Sequence, residues 1–345
     1  MSKRLGFSWI LMRSSHWMAR KLLEQAGFRW ELRRAGDLKL GLWRKKFNPQ
    51  GPAPLVALKR VVFLPGFGDT SLSWLGIISA LMPLLKKDYD ELVLFEFPGF
   101  LGPLSKDKPF ESMEHLSTRV YEILDTLTPR TLIGHSLGGW LAALYTVECG
   151  SGKRLMKVSP RQLILINPGG VAEDFADSQK LRMSLHEVFE DQENGTQRWR
   201  KLIFGKEPFW FPMFAPEIKA FLTRPETRAF VQSFGDEYLL MERLMHVDSE
   251  VRFIWGELDS LFPPELAQHW MKHLVSKRTE QNLSAPFALV IRGVGHSPHL
   301  ESAIKTTAAL ARVLKNSNEK QLHSRWWRVV SAPKFPQKLP ETTST

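Results

Sequence analysis

Three features of the 345-residue chain predict an α/β fold, in which a mostly parallel sheet carries helices on both faces and a helical cap is inserted late. Short apolar runs alternate with helical patterns, as strands buried on both faces require. A sharp strand-to-helix turn stands near the middle of the chain. Eighty residues with no convincing strand pattern, from Gly169 to Asp248, are too many for a simple connection and read as the cap.

The elements follow in order. Residues 15–26 read as a helix stopped by Gly27, with Met18 and Leu22 four apart on one face. Leu38, Leu40 and Leu42 alternate with Lys39, Gly41 and Trp43, the pattern of a half-exposed first strand. A breaker-rich connection at 48–54 leads to a buried strand at 61–64. Then come a helix over 72–85, a strand at 92–95 with a Pro-Gly turn behind it, and a helix over 113–127. After the central turn, a strand at 162–167 stops at Pro168-Gly169-Gly170. Past the cap, strands starting at 250 and 287 each end in glycine turns. In such sheets ligands lie beyond the carboxyl ends of the strands.

The central turn is Gly134-His135-Ser136-Leu137-Gly138. A β-prone run ends at Gly134 and good helix formers begin after Leu137, so the chain turns within about two residues. Gly134 and Gly138 are small because side chains there would collide with the strand and helix being joined. The strained serine lifts its hydroxyl beside the free N–H groups of a helix start, where an oxyanion can be held. A serine nucleophile needs a base, and the base an orienting acid. Of ten histidines, His296 is the one that follows a strand end and a glycine turn late in the fold. Glu257 and Asp259 close the preceding strand, and both are acid candidates. His135 leaves the turn on another side and reads as structural.

At Phe63-Leu64-Pro65-Gly66-Phe67-Gly68-Asp69, Gly134-His135-Ser136-Leu137-Gly138-Gly139, Trp255-Gly256-Glu257-Leu258-Asp259 and Gly295-His296-Ser297-Pro298-His299-Leu300-Glu301, the chain resembles an α/β-hydrolase-fold enzyme over about 60–312. The resemblance implies Ser136 as nucleophile, Asp259 as acid and His296 as base, with Glu257 the weaker acid. It also implies an oxyanion hole made by the N–H groups of Phe67 and Leu137. The family's first donor follows a His-Gly pair, whereas this chain has Pro65-Gly66, so its loop must be braced differently. The cap resembles that of bacterial lipases and monoacylglycerol-lipase-like enzymes. Its aromatic, proline-rich centre, 199–216, makes Phe209, Trp210, Phe211 and Phe214 candidates for an acyl-binding groove, and its prolines argue for short bent helices. The implied activity is hydrolysis of apolar carboxylic esters through an acyl-enzyme on Ser136. The alternatives are the same triad acting on a C–C or amide bond, or a silent binding protein that keeps the fold. A dehalogenase or epoxide hydrolase is disfavoured, since each needs a carboxylate at position 136.

No cofactor and no metal are expected: the sequence has no metal-ligand spacing, and Gly66-x-Gly68 is too short for a dinucleotide loop. The single cysteine, Cys149, excludes a disulfide framework, reads as packing and fits a cytoplasmic setting. The formal charge of +11 is carried by the ends: residues 1–50 hold +9, residues 312–345 hold +5, and the body between them −3. A nucleic-acid enzyme would carry its positive charge at the site, so that partner is excluded. Trp9, Trp17, Trp30 and Trp43 at the front, and Trp326 and Trp327 at the back, are interleaved with basic residues. The favoured reading packs the front helix on the sheet; the rival one is peripheral contact with an anionic membrane. The apolar run 5–12 is too short to span a bilayer and lacks a cleavage site, so it reads as uncleaved. The expected division is a basic front (1–50), a core (51–168 and 249–315), the cap (169–248) and a basic tail (316–345), disordered from about Ser331. The sequence sets no oligomeric state.

Overall fold

The computed structural model describes residues 7–47, 58–154, 158–172, 175–191, 193–275, 283–315 and 322–333. The expected connection at 48–54 and nearly all of the expected disordered tail lie outside the described residues. One sheet is built from β1 (Arg29–Ala35), β2 (Leu38–Lys46), β3 (Arg60–Leu64), β4 (Glu91–Glu96), β5 (Thr131–His135), β6 (Gln162–Ile166), β7 (Glu250–Gly256), β8 (Phe287–Ile291) and β9 (Trp327–Ser331). Their spatial order is β1-β2-β4-β3-β5-β6-β7-β8-β9. From β4 to β8 all pairings are parallel, while β1, β2 and β9 join antiparallel at the two edges. The expected fold class, a mostly parallel sheet with helices on both faces and an inserted cap, is the one observed.

Apolar residues alternate between the two faces of the sheet. Val62, Leu64, Val93, Leu132 and Leu165 enter one core, packed by α3 (Met113–Leu127), α4 (Leu137–Gly150) and α9 (Leu266–Val275). Val61, Phe63, Leu92, Ile133 and Ile164 enter the other, packed by α2 (Leu75–Asp88) and α11 (Ala303–Leu314). Helix α3 starts where the Ser112 hydroxyl accepts the His115 N–H at 3.1 Å, and it ends where Thr128 turns left-handed at φ 45°. Helices α5 (Phe175–Glu190), α6 (Gly195–Ile203), α7 (Phe211–Leu222) and α8 (Pro225–Gln232) are inserted between β6 and β7 and form the cap. Pro212 stands in the first turn of α7, where its missing N–H costs nothing, but Pro216 lies inside the helix instead of ending it.

Three elements differ from expectation. Strand β1 was hidden by its charges, since Arg29, Glu31, Arg33 and Arg34 give an edge strand no apolar signature. Strand β9 lies in what reads as tail, and its pairing with β8 closes the other edge. The first helix, α1, runs over Phe7–Gln25, and Met18 and Leu22, expected on its packed face, are 56% and 47% exposed. Leu23 is buried in their place, and the helix packs chiefly along α7 of the cap, tied there by the Ser8 hydroxyl donating to Glu217 Oε1 at 3.2 Å.

At the turn from β5 to α4, a Cβ on Gly138 would stand 2.4 Å from the carbonyl oxygen of Leu64 in β3. Backbone cannot yield there as a side chain would. Gly138→Ala is therefore expected to lower stability by about 3 kcal/mol, read as an earlier urea midpoint at unchanged m-value. An unchanged midpoint would contradict this packing.

Candidate active site

Ser136 joins β5 to α4 with φ 53° and ψ −117°, a region that a non-glycine residue occupies only under constraint. The constraint is visible on both sides. Ser136 N–H donates to the Ile166 carbonyl of β6 at 2.9 Å, and the Ser136 carbonyl accepts Trp140 N–H at 3.0 Å in the first turn of α4. A Cβ on Gly134 would meet the Gly138 oxygen at 2.2 Å.

The three side chains expected to meet are brought together. His296 Nε2 stands 2.8 Å from Ser136 Oγ, and His296 Nδ1 stands 2.9 Å from Asp259 Oδ2. All three residues are buried. Since a carboxylate only accepts, it fixes the tautomer with hydrogen on Nδ1 and leaves the Nε2 lone pair facing the hydroxyl. Asp259 Oδ1 accepts the N–H groups of Leu261 and Phe262, each at 2.9 Å, and Oδ2 also accepts Asn167 Nδ2 at 2.5 Å. Four donors thus hold the acid in one orientation. Glu257, the other acid at this turn, is exposed and accepts Gly293 N–H at 2.9 Å, bracing the turn that leads to His296.

Asn167 escaped the sequence reading. It is buried just past β6 at φ 44°, and its only sequence signal was a strand ending in Asn-Pro-Gly-Gly. Half-buried Asp69 and buried His299, neither of which was given a role above, group with His135, read there as structural. His135 Nε2 donates to the backbone carbonyl of His296 at 2.8 Å, so the residue before the serine holds the backbone of the residue opposite it. Burial, reinforced by the neighbouring His299 and His296 rings, pushes the His135 imidazolium well below the usual histidine range, so its ring is neutral.

Asp69 answers how the loop with Pro65 in place of histidine is braced. One of its oxygens accepts Thr70 N–H and Ser73 Oγ, each at 2.8 Å, and the other accepts Trp74 Nε1 at 3.1 Å. His299 Nε2 lies 3.2 Å from that second oxygen, and its ring stacks on Trp74 with centroids 4.1 Å apart. Burial raises the Asp69 pKa, but the His299 pairing and these donors outweigh it and hold the carboxyl at about 2. Gly66 lets the braced loop close on the serine, because a Cβ there would stand 2.7 Å from His135 Nδ1 and 3.3 Å from Ser136 Cβ. Phe67, the residue after it, and Leu137, the first residue of α4, both line the cavity with Ser136 and His296.

That cavity has a volume of about 390 Å³, and its walls are mostly apolar. The Phe67 ring fills a cluster with Phe100, Phe189, Trp199, Phe221 and Phe230 between core and cap. Of the four expected groove residues, Trp210, Phe211 and Phe214 line the cavity. Phe209 does not: it precedes the first turn of α7 and is 92% exposed. A further part of the wall is α1, which contributes Met12, Ser15, His16 and Ala19, a contribution that no motif announced. Glu301 (in α10, Pro298–Glu301) ties cap to core, accepting Gly295 N–H at 2.8 Å, Lys206 N–H at 2.9 Å and Gly205 N–H at 3.0 Å. The chain matches the Alpha/beta hydrolase family over residues 61–310.

Similarity to solved structures is distant in sequence and broad in coverage. A putative lipase from Acinetobacter baumannii is 18% identical with a TM-score of 0.62, the match covering 86% of this chain and 96% of that one. A membrane phospholipase A described as a bacterial virulence factor is 19% identical with a TM-score of 0.63, covering 90% and 92%. An esterase from Exiguobacterium antarcticum is 16% identical with a TM-score of 0.57, covering 83% and 100%. Among curated proteins, the chloroplastic protein PHYLLO of Arabidopsis thaliana is 22% identical over 292 residues, 76% of this chain; the chain spans only 16% of that protein's length.

If His135 holds the His296 backbone, His135→Ala should slow labelling of Ser136 by a fluorophosphonate on the order of 10- to 100-fold, and His135→Gln, which keeps a donor, by less. Unchanged labelling in the alanine variant would leave His135 as packing alone. Glu96, buried at the end of β4, is a second test. It accepts Thr70 Oγ1 at 2.8 Å, and burial pushes its pKa from 4.5 up to about 8. A raised folded-state pKa means that its stabilisation is complete below the unfolded value and is lost as pH rises through about 8. Glu96→Gln should therefore reduce the fall in Tm across this interval by about 5 °C. An identical pH profile in both proteins would contradict the assignment.

Proposed function

Given that this chain belongs to the α/β-hydrolase family, we propose that it is a serine hydrolase cleaving carboxylic esters with apolar acyl groups. The observation that carries the reading is the unbroken relay from Ser136 through His296 to Asp259, at 2.8 and 2.9 Å, on the wall of an apolar cavity. The activities named for the putative lipase, the phospholipase and the esterase to which the fold is similar point the same way.

Ser136 Oγ attacks the ester carbonyl while His296 Nε2 takes its proton. Asp259 holds the imidazole and stabilises its positive charge. The tetrahedral oxyanion is met by the N–H groups of Phe67 and Leu137, each worth roughly 3–4 kcal/mol in the transition state. His296 then passes the proton to the departing alcohol, leaving the acyl group on Ser136. Water, deprotonated by His296, attacks the acyl-enzyme; the acid departs and the serine regains its proton. Trp210, Phe211 and Phe214 receive the acyl chain beneath the cap. The buried Cys149 fits a reducing, cytoplasmic setting.

Turnover of p-nitrophenyl esters tests the roles. Ser136→Ala is expected to lower kcat by at least about 10⁴-fold, and Asp259→Asn by on the order of 10²- to 10⁴-fold. Each added acyl methylene should raise kcat/KM by about fourfold until the cavity is full, as ~0.8 kcal/mol per buried methylene requires. Undiminished turnover by Ser136→Ala would overturn the assignment. Failure of the native protein to take a fluorophosphonate label would favour a silent binding protein.

A further inference from the structure

Helix α1 has a mixed inner face and an apolar outer one, and among the described residues only the inner face is covered. Met12, Ser15, His16, Ala19 and Leu23 recur at helical spacing on the inner face, the first four on the cavity wall and Leu23 in the core. Ile10, Trp17, Met18 and Leu22 lie on the outer face, 47%, 64%, 56% and 47% exposed. Lys21 stands among them, and the exposed Arg13 and Arg20 follow one margin. An ordinary surface helix has a polar outer face.

Exposed apolar bulk is concentrated here. Six of the eleven large hydrophobic residues exposed among the described residues are these four together with Phe209 and Met213. Phe209 and Met213 belong to the segment entering α7, the helix along which α1 packs. Met213 stands one turn before Glu217, which accepts the Ser8 hydroxyl of α1. The patch thus borders the same two helices that wall the cavity from outside.

We propose that α1 is a lipid-docking helix, whose outer face lies on an anionic bilayer surface while its inner face forms part of the wall of the substrate cavity. The occupant follows from the chemistry. Tryptophan and aliphatic side chains interleaved with arginine and lysine suit the headgroup boundary, where indole sits at the interface and each cation near an anionic surface strengthens binding about fivefold. The 1–50 region that contains the helix carries a formal +9, against −3 for the body and +5 for residues 312–345, so attraction to anionic lipid is strongest at this end. No helix among the described residues is long and apolar enough to cross a membrane, so α1 lies on the surface. Continuity of the helix with the cavity gives docking a consequence: an apolar acyl chain leaving the bilayer has only one helix to pass. That consequence rests on the ester-hydrolase reading; the docking itself does not.

The two are separated by measuring them apart. Full-length protein is sedimented with vesicles of phosphatidylcholine, or of phosphatidylcholine with phosphatidylglycerol, and turnover of water-soluble p-nitrophenyl butyrate is followed in parallel. Native protein should bind the anionic vesicles at least about tenfold more tightly, with affinity falling as salt rises. The pair Trp17→Ser/Met18→Ser should lose about tenfold in vesicle affinity, and Arg13→Gln/Lys21→Gln should lose both affinity and salt dependence. Butyrate turnover should stay within about twofold in both pairs, since none of these side chains lines the cavity. Equal binding to both vesicle types, or native-like binding by the Trp17/Met18 pair, overturns the proposal. So does loss of a solution dimer in that pair without any vesicle binding, which would assign the face to a second copy of this chain. Absence of butyrate turnover in the native protein would instead count against the hydrolase reading.

Discussion

Ser136 keeps its left-handed backbone only because three glycines let three backbone segments close on it. Gly134 and Gly138 allow β5 and α4 to cross without a Cβ between them, and Gly66 lets the loop after β3 approach the serine from the side. The cost of the φ value, of order 1–3 kcal/mol, is met by the surrounding parallel sheet, whose β6 carbonyl accepts the serine N–H. The relay, the candidate oxyanion donors and the cavity all take their positions from this closure. Without it, the hydroxyl would lie in the sheet and His296 would have nothing to face.

Around that point the chain uses two carboxylates in opposite ways, Asp259 buried and Asp69 half-buried. Asp259 accepts four hydrogen bonds and directs one imidazole at the serine. Asp69 accepts from the turn that follows it and pairs with His299, fixing the loop from which Phe67 emerges. His135 bridges the two halves, with Nδ1 3.9 Å from Asp69 Oδ2 and Nε2 donating to the His296 carbonyl. Glu301 then extends the His296 loop to the cap. Orientation of the His296 imidazole is therefore shared among several side chains, none of which needs to touch a substrate.

What the sequence disclosed, and what it hid, follow from the same physics. Strands buried on both faces leave unbroken apolar runs, so β3 to β8 were legible, and the glycine spacing around Ser136 marked the turn. Strands β1 and β9 were not, because an edge strand half in water, such as Arg29–Ala35, carries charges that mask its period. Periodicity in α1 identified an apolar face at Met18 and Leu22 but not which of its faces was covered, and the covered one proved to be the other. Trp210, Phe211 and Phe214 line the cavity, whereas Phe209 belongs to the same aromatic run and is exposed, a one-residue difference that composition cannot resolve. Asn167 acts through a hydrogen bond to Asp259 and His299 through its pairing with Asp69, both formed across the fold, and no local pattern announces such partners.

On the proposed mechanism, a carbonyl bound at Ser136 places its oxygen between the N–H groups of Phe67 and Leu137 and its chain beneath the cap. A crystal structure of the protein inactivated by a long-chain alkylphosphonate tests it most directly. The phosphoryl oxygen should accept from both N–H groups at about 2.7–3.1 Å, with the alkyl chain against Trp210 and Phe214. An adduct on another residue, or one whose oxygen points to solvent while the chain leaves the cavity, would contradict it.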